Sequence, residues 1–263
     1  MLARQRQARI LDEVRRAGGV RVSELTVLLG VSDMTVRRDL DQLSAEGAIQ
    51  KVHGGAVLGS HVTEEPGLEV TPTSAQPAKQ AIAAQAARMI TPGAAVALSA
   101  GATTSLMGRH LASIPGLTVV TNSTAVADAV CSSDADKQTV ILTGGIRTPR
   151  GALVGPVADA TIGSLHFGQL FLGVHGMDPV AGYTTPDLAE AGTNRALMDR
   201  AQVVIMLADS SKWQTVGLAG FGPLSAADIL ITDDGLPDEA RAVLQGAVGE
   251  LVIVPALAEG CRS

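Results

Sequence analysis

Aromatic side chains are nearly missing from this chain: three Phe, one Tyr and one Trp make up 2% of its 263 residues. That scarcity removes the stacking platforms on which single-strand and RNA-binding modules depend. Cysteine is rarer still. Cys131 and Cys261 stand far apart with no CxxC spacing, which argues against a zinc cluster or a disulfide framework. No uninterrupted apolar run approaches the length of a membrane span. The opening residues MLARQRQARILDEVRR carry charge where a secretory leader needs an apolar stretch. The expectation is a soluble, cytoplasmic protein with no membrane partner, no metal and no cofactor.

Small aliphatic residues fill the place of the aromatics. Hydrophobic residues make up 46% of the chain and charged ones 17%, a globular composition with ample material for a core. The length suits one large domain, or a small one joined to a larger one. The net charge of -6 is unevenly spread. Residues 1–60 hold nine Lys/Arg against seven Asp/Glu, whereas the remaining 203 hold eleven against nineteen. A small module for an anionic partner, carried on a larger acidic body, fits that asymmetry.

Between Gln5 and Val14 the apolar residues Ala8, Ile10, Leu11 and Val14 recur at helical spacing, and Gly18-Gly19 stops that helix. A second helix fits Val22 to Leu29, with Ser23 as N-cap and Gly30 past its end. Ser32 caps a third helix that runs to about Glu46. Two short helices joined by a turn containing Gly30 describe a helix-turn-helix. Residues 48–58 then fold as a hairpin around Gly54-Gly55, in the position of a wing.

On the third helix Val36, Leu40 and Leu43 share the buried side, and Arg38 lies opposite, flanked by Met34, Thr35 and Gln42. Arg37 lies on the shoulder between the faces. An arginine pair alone reads as a solvated face, but between a helix-turn-helix and a wing it points to duplex DNA. Arg38 can offer parallel donors to a guanine edge, and Arg37 suits a phosphate. Ser32 and Thr35 sit near the positive end of the helix, where phosphate oxygens are held. Asp39 reads as a local partner rather than a contact.

From about Gly59 to Pro77 the composition changes to Pro66, Pro72 and Pro77 with Glu64, Glu65 and several Thr/Ser, which reads as an interdomain linker. Beyond it short apolar runs alternate with helical stretches: AAVALSA, LTVVTN, TVILTGG, LFLGV, VVIMLADSS, ADILITDD and LVIVPA. Runs apolar on both faces suit a mostly parallel sheet covered by helices, an α/β domain. The expected division is a winged helix-turn-helix over 1–58, a linker over 59–77 and an effector-binding and oligomerisation domain over 78–263. Four loops after strands are rich in Gly, Ser and Thr: 101–104, 121–123, 144–145 and 209–212. In an open parallel sheet the ligand crevice lies outside the carboxyl ends of the strands. Backbone N–H groups, small hydroxyls and Lys212 there make an anion site. Arg147 and Arg150 either add a second phosphate contact or are simply solvated.

Residues 6–57 resemble the N-terminal domain of the DeoR family of bacterial transcriptional regulators, notably through VS..TVRRDL..L...G and HGGA. The resemblance implies a winged helix-turn-helix that reads duplex operator DNA through the helix with Thr35, Arg37 and Arg38, with Lys51 and His53 on the wing. The candidate DNA-contacting set is Arg21, Ser32, Met34, Thr35, Arg37, Arg38, Gln42, Lys51 and His53. One departure is Thr26, where such motifs usually place a small Ala. From about Lys79 to Asp233 the chain is also similar to the family's sensor, through AGATT, TVVTNS, LTGG, FLGV.GMD, GYTTPDLAEA and DSSKW. That likeness implies a fold akin to ribose-5-phosphate isomerase, binding a phosphorylated sugar or related metabolite. Carried onto this chain, the effector contacts fall at Gly101, Thr103, Thr104, Thr121, Asn122, Ser123, Gly144, Gly145 and Lys212. Glu190 takes the acidic position after the GYT segment, and Lys79 opens the domain. Ser99 and Ala102 stand where the family commonly has Asp and Thr, and Gln169 replaces a usual Asp.

The expected function is a sequence-specific repressor of carbohydrate-metabolism genes, not an enzyme, acting as a homodimer or tetramer. Two alternatives stay open. One is a sugar-phosphate isomerase with an accessory DNA-binding module, for which Asp178, Glu190, Asp209 and His175 are candidates by residue type. Asp209 reads equally as a helix N-cap and Asp178 as a turn residue. The other is a regulator whose sensor no longer binds ligand, given Ser99 and Ala102.

Overall fold

Ile10, Val14, Val22, Leu25, Leu29, Val36, Leu40 and Leu43 form one buried cluster in the computed structural model. The structure describes residues 6–7, 9–11, 13–14, 19–45, 49–52, 55–58, 75–132 and 138–256. It divides into two units, Met1–Thr63 and Glu64–Ser263.

In the first unit the described residues between 6 and 14 are helical. Strand β1 (Gly19–Arg21) leads into helix α1 (Val22–Leu29), helix α2 (Asp33–Ala45) and strands β2 (Ile49–Val52) and β3 (Gly55–Leu58). Gly30 closes α1 by donating its N–H to Thr26 O at 3.0 Å, with the positive φ of 64° that a glycine adopts freely. Helix α1 starts at Val22, so Ser23 lies within its first turn rather than capping it. Thr26 is half-buried there. The Ser32 hydroxyl accepts from Thr35 N at 3.3 Å and contacts the Thr35 hydroxyl at 2.9 Å, the expected cap of α2. The hairpin β2–β3 is antiparallel, and β1 pairs with β3 as a third strand. A three-residue strand has no alternation to read in the sequence, and buried Val20 ties it to the core.

The second unit begins with α3 (Gln76–Ala87), β4 (Ala95–Leu98), α4 (Ala102–Leu111), β5 (Thr118–Thr121), α5 (Thr124–Cys131) and β6 (Thr139–Leu142). A short arm follows, β7 (Ile146–Arg147) and β8 (Leu153–Val154), then α6 (Pro156–Gly163), β9 (Phe167–Gly173), β10 (Gly176–Asp178) and β11 (Gly182–Thr185). Then come α7 (Leu188–Met198), β12 (Ala201–Leu207), β13 (Ala219–Gly222), β14 (Ile229–Asp233), α8 (Asp238–Ala247) and β15 (Glu250–Val254). Residues 59–74, most of the expected linker, lie outside the described residues.

Seven strands make one parallel sheet in the order β15-β14-β12-β9-β4-β5-β6. Alternate side chains of each strand enter different cores. Ala97, Leu170, Leu172, Val204 and Met206 pack with α6, α7 and α8 on one face. Val96, Leu98, Phe171, Ile205 and Leu207 pack with α3, α4 and α5 on the other. Burial on both faces is why these strands read as continuous apolar runs. A small antiparallel sheet, β10-β11-β13, carries Tyr183 stacked on Phe221 at 6.1 Å between ring centroids.

Candidate effector pocket and DNA-reading helix

The strand order of the large sheet reverses between β4 and β9: the chain proceeds outward through β5 and β6 on one side and through β12, β14 and β15 on the other. At such a switch point the loops leaving adjacent strand ends run apart and open a crevice. Two glycines line it. A Cβ on Gly101 would lie 3.2 Å from the Thr104 hydroxyl and 3.8 Å from the Gly173 Cα, so the backbones after β4 and β9 approach closely. Ser99, buried at the end of β4, accepts the Gly173 N–H at 3.0 Å and pins that approach. Ser99 thus serves the scaffold, while Ala102 lines the pocket.

The pocket above this point measures about 630 Å³. Of the predicted effector residues, Lys79, Gly101, Thr103, Asn122, Ser123, Glu190 and Lys212 line it. Lys79, from α3, is only 2% exposed. Arg147 and Arg150 reach the same pocket from the arm, joining the two lysines. Asn122 spends its side chain on the frame, accepting from Ala100 N at 2.9 Å and donating to Leu153 O at 3.2 Å. Ser123 caps α5 by accepting from Val126 N at 3.2 Å.

Glu190 stands in the first turn of α7, which Asp187 caps by accepting from Ala189 N and Glu190 N at 2.7 and 2.9 Å. Its carboxylate accepts from the Thr148 hydroxyl at 3.2 Å and the Thr185 hydroxyl at 3.0 Å. Burial pushes this carboxyl above the ordinary glutamate value, with the threonine bonds and Arg150 pulling the other way.

Four predicted residues fall outside the pocket lining. The Thr104 hydroxyl donates to Gly101 O at 2.9 Å, and the Thr121 hydroxyl donates to Leu98 O at 2.8 Å. Gly144 and Gly145 turn the chain into the arm with φ of 69° and 111°. A Cβ on Gly145 would lie 2.6 Å from Val154 O, so the arm closes only over a glycine. Gln76, Ser105, Thr185 and Asn194 line the pocket without having been predicted. Asn194 follows Glu190 by four residues, and that helical spacing was the available signal. Of the isomerase candidates, His175 and Asp209 also line the pocket. Asp178 instead accepts from Val180 N and Ala181 N at 2.8 and 2.9 Å, as a turn residue does. Gln169 donates to Met89 O at 3.1 Å, a structural role.

In the first unit, Ser32, which caps α2, is exposed with Met34, Arg37, Arg38 and Gln42, Thr35 is half-buried, and Val36, Leu40 and Leu43 are buried. Arg38 has no hydrogen-bond or ion-pair partner among the described residues and is open to solvent. Arg37 instead forms a two-point ion pair with Asp33, one turn earlier on the same helix. Asp39 is 4% exposed and pairs with Arg6, locking the N-terminal helical residues to α2. Gln42 accepts from the Gln7 amide at 2.9 Å and belongs to the same brace. Arg21 and Lys51 lie in β1 and β2, where only the backbone is described; His53 lies outside the described residues.

A helix-turn-helix with a hairpin wing, joined in one chain to an α/β unit with a pocket at its switch point, is the architecture of a DNA-binding regulator. Residues 6–62 match the DeoR-like helix-turn-helix domain, and residues 74–234 match the DeoR C-terminal sensor domain. The chain belongs to the DeoR family of transcriptional regulators. It is 35% identical to YgbI, a helix-turn-helix-type transcriptional regulator of Escherichia coli K12, over 93% of this chain and 95% of that one. It is 28% identical to the glycerol-3-phosphate regulon repressor of the same organism, over 91% of this chain and 94% of that one. Among solved structures it is similar to a D-ribose-5-phosphate isomerase in complex with phospho-erythronic acid, with 17% identity and a TM-score of 0.38. That likeness covers 51% of this chain and 52% of the isomerase. Among the described residues no helix is long and apolar enough to cross a membrane.

Proposed function

We propose that the protein is a cytoplasmic repressor of carbohydrate-metabolism genes whose hold on operator DNA is set by a phosphorylated sugar or related metabolite. The observation that carries the ligand class is the pocket: Lys79, Lys212, Arg147 and Arg150 converge on one crevice at the strand ends. Four cations beside small hydroxyls suit a phosphate with a hydroxylated body. A relative named for repressing the glycerol-3-phosphate regulon supports a phosphorylated ligand. Arg38 is the base reader, and Arg37 anchors a phosphate once it exchanges Asp33 for DNA. Exposed Met34 and half-buried Thr35 complete the reading face, and Arg21, Lys51 and His53 supply backbone contacts.

One winged module covers limited DNA, so the protein binds repeated half-sites as a dimer or tetramer assembled through the larger unit. The pocket senses its ligand without turning it over. A second reading, a sugar-phosphate isomerase, draws on His175, Glu190, Asp209 and Lys212 sharing that pocket. Fluorescence anisotropy with an operator duplex decides between them. The regulator reading expects affinity to shift on adding a sugar phosphate that NMR shows unchanged after hours. Conversion of the sugar with no shift in affinity overturns it.

A further inference from the structure

Among the described residues of the first unit, the exposed large apolar side chains are Val27, Leu28 and Met34, and Met34 is the one carried by α2. It is 79% exposed and stands in the first turn of that helix, between Asp33 and Thr35. A long thioether held in water contributes nothing to the core beneath it. The N-terminal residues of a recognition helix, however, are those that contact base edges.

The polar neighbours of Met34 are engaged within the protein. The Ser32 and Thr35 hydroxyls bond each other at 2.9 Å, and Ser32 also caps the helix. Asp33 holds Arg37, Asp39 holds Arg6, and Gln42 accepts from Gln7. What the first two turns offer outward is Met34 and, four residues on, Arg38. That spacing puts both side chains on one face, about 6 Å apart along the helix axis. Base pairs follow one another about every 3.4 Å, so the two meet bases within two steps of each other.

Their chemistries select different bases. Arg38 offers parallel donors to a guanine edge. Met34 has no donor, and its sulfur is a weak acceptor, so it makes no strong bond to the polar edges. The apolar group that a base pair shows in the major groove is the C5 methyl of thymine. A flexible, polarizable side chain packs readily on such a group. We propose that Met34 reads a thymine methyl, so that each operator half-site pairs a thymine with the neighbouring guanine read by Arg38. This rests on the placement of α2 in the groove given above.

The test begins with a duplex selected by the full chain from a random-sequence library. Each thymine of the selected site is then replaced in turn by uracil, which removes only the methyl group. In anisotropy titrations the wild type should lose affinity roughly fourfold at one thymine of each half-site, the worth of one buried methyl. Met34→Ala, a change at an exposed position, should bind the thymine and uracil duplexes equally, about as weakly as the wild type binds uracil. Met34→Leu, apolar and of similar size, should keep the distinction. Arg38→Ala should also keep it while losing preference at a guanine. A wild type indifferent to uracil at every position, or a distinction that survives in Met34→Ala, overturns this inference. The groove placement of α2 then still stands if Arg38→Ala changes base preference. A library that yields no enriched site, or sequence preference unchanged in both alanine variants, overturns both.

Discussion

Arg37 and Arg38 are neighbours in sequence with different surroundings. Asp33 holds the first, and the second faces solvent with no described partner. Arg38→Ala should cost about 1–3 kcal/mol of specific binding and relax base preference at one operator position, read by anisotropy titration over a set of mutated duplexes. An unchanged affinity would remove α2 from the groove. Lys212 is the matching residue in the pocket. In Lys212→Ala the operator affinities measured with and without a sugar phosphate should converge, and calorimetry should show the ligand bound at least tenfold more weakly. Glu190 makes a pH prediction. Burial raises its carboxyl above the ordinary glutamate value of 4.5, so the folded form holds the proton more tightly than the unfolded chain. The stability that follows is fully present below the unfolded value and is lost as pH rises through the raised folded value. Glu190→Gln should therefore flatten the decline in stability above pH 4.5, measured by urea unfolding across a pH series.

Among the elements, the seven parallel strands were all legible as short apolar runs, the inner ones because both of their faces are buried. The short strands were not. Strand β1 has three residues and β7 and β8 two each, too few for alternation, and β11 pairs with β13 across an intervening helix and a long strand. The arm β7–β8 matters because it delivers Arg147 to the pocket. Its closure depends on Gly145, so Gly145→Ala should destabilise the second unit by roughly 1–3 kcal/mol, read by thermal unfolding, and weaken ligand binding as the arm shifts. The candidate site was only half legible. Thr104, Thr121, Asn122 and Ser123 are the small polar residues that ligand loops use, but they are equally the residues that cap helices and clamp strand ends. Residue type alone does not separate those roles. The partner of each hydroxyl does.

At the scale of the whole molecule, the two units have separate apolar cores, Ile10 to Leu43 in one and the double-faced sheet in the other. A ligand held by one core should stabilise that core. In differential scanning calorimetry a sugar phosphate should raise the transition of the larger unit, and operator duplex that of the smaller. Ligand at one hundred times its dissociation constant adds about 2.7 kcal/mol. A single transition shifted equally by both would show the units to be one cooperative body.

Helix α2 (Asp33–Ala45) carries two arginines and three aspartates, one of which holds Arg37. Such a helix has little long-range pull on the phosphate backbone, which supplies most sequence-independent affinity. On non-specific duplex this helix should therefore add little to the salt dependence of binding, read by anisotropy titration across a salt series.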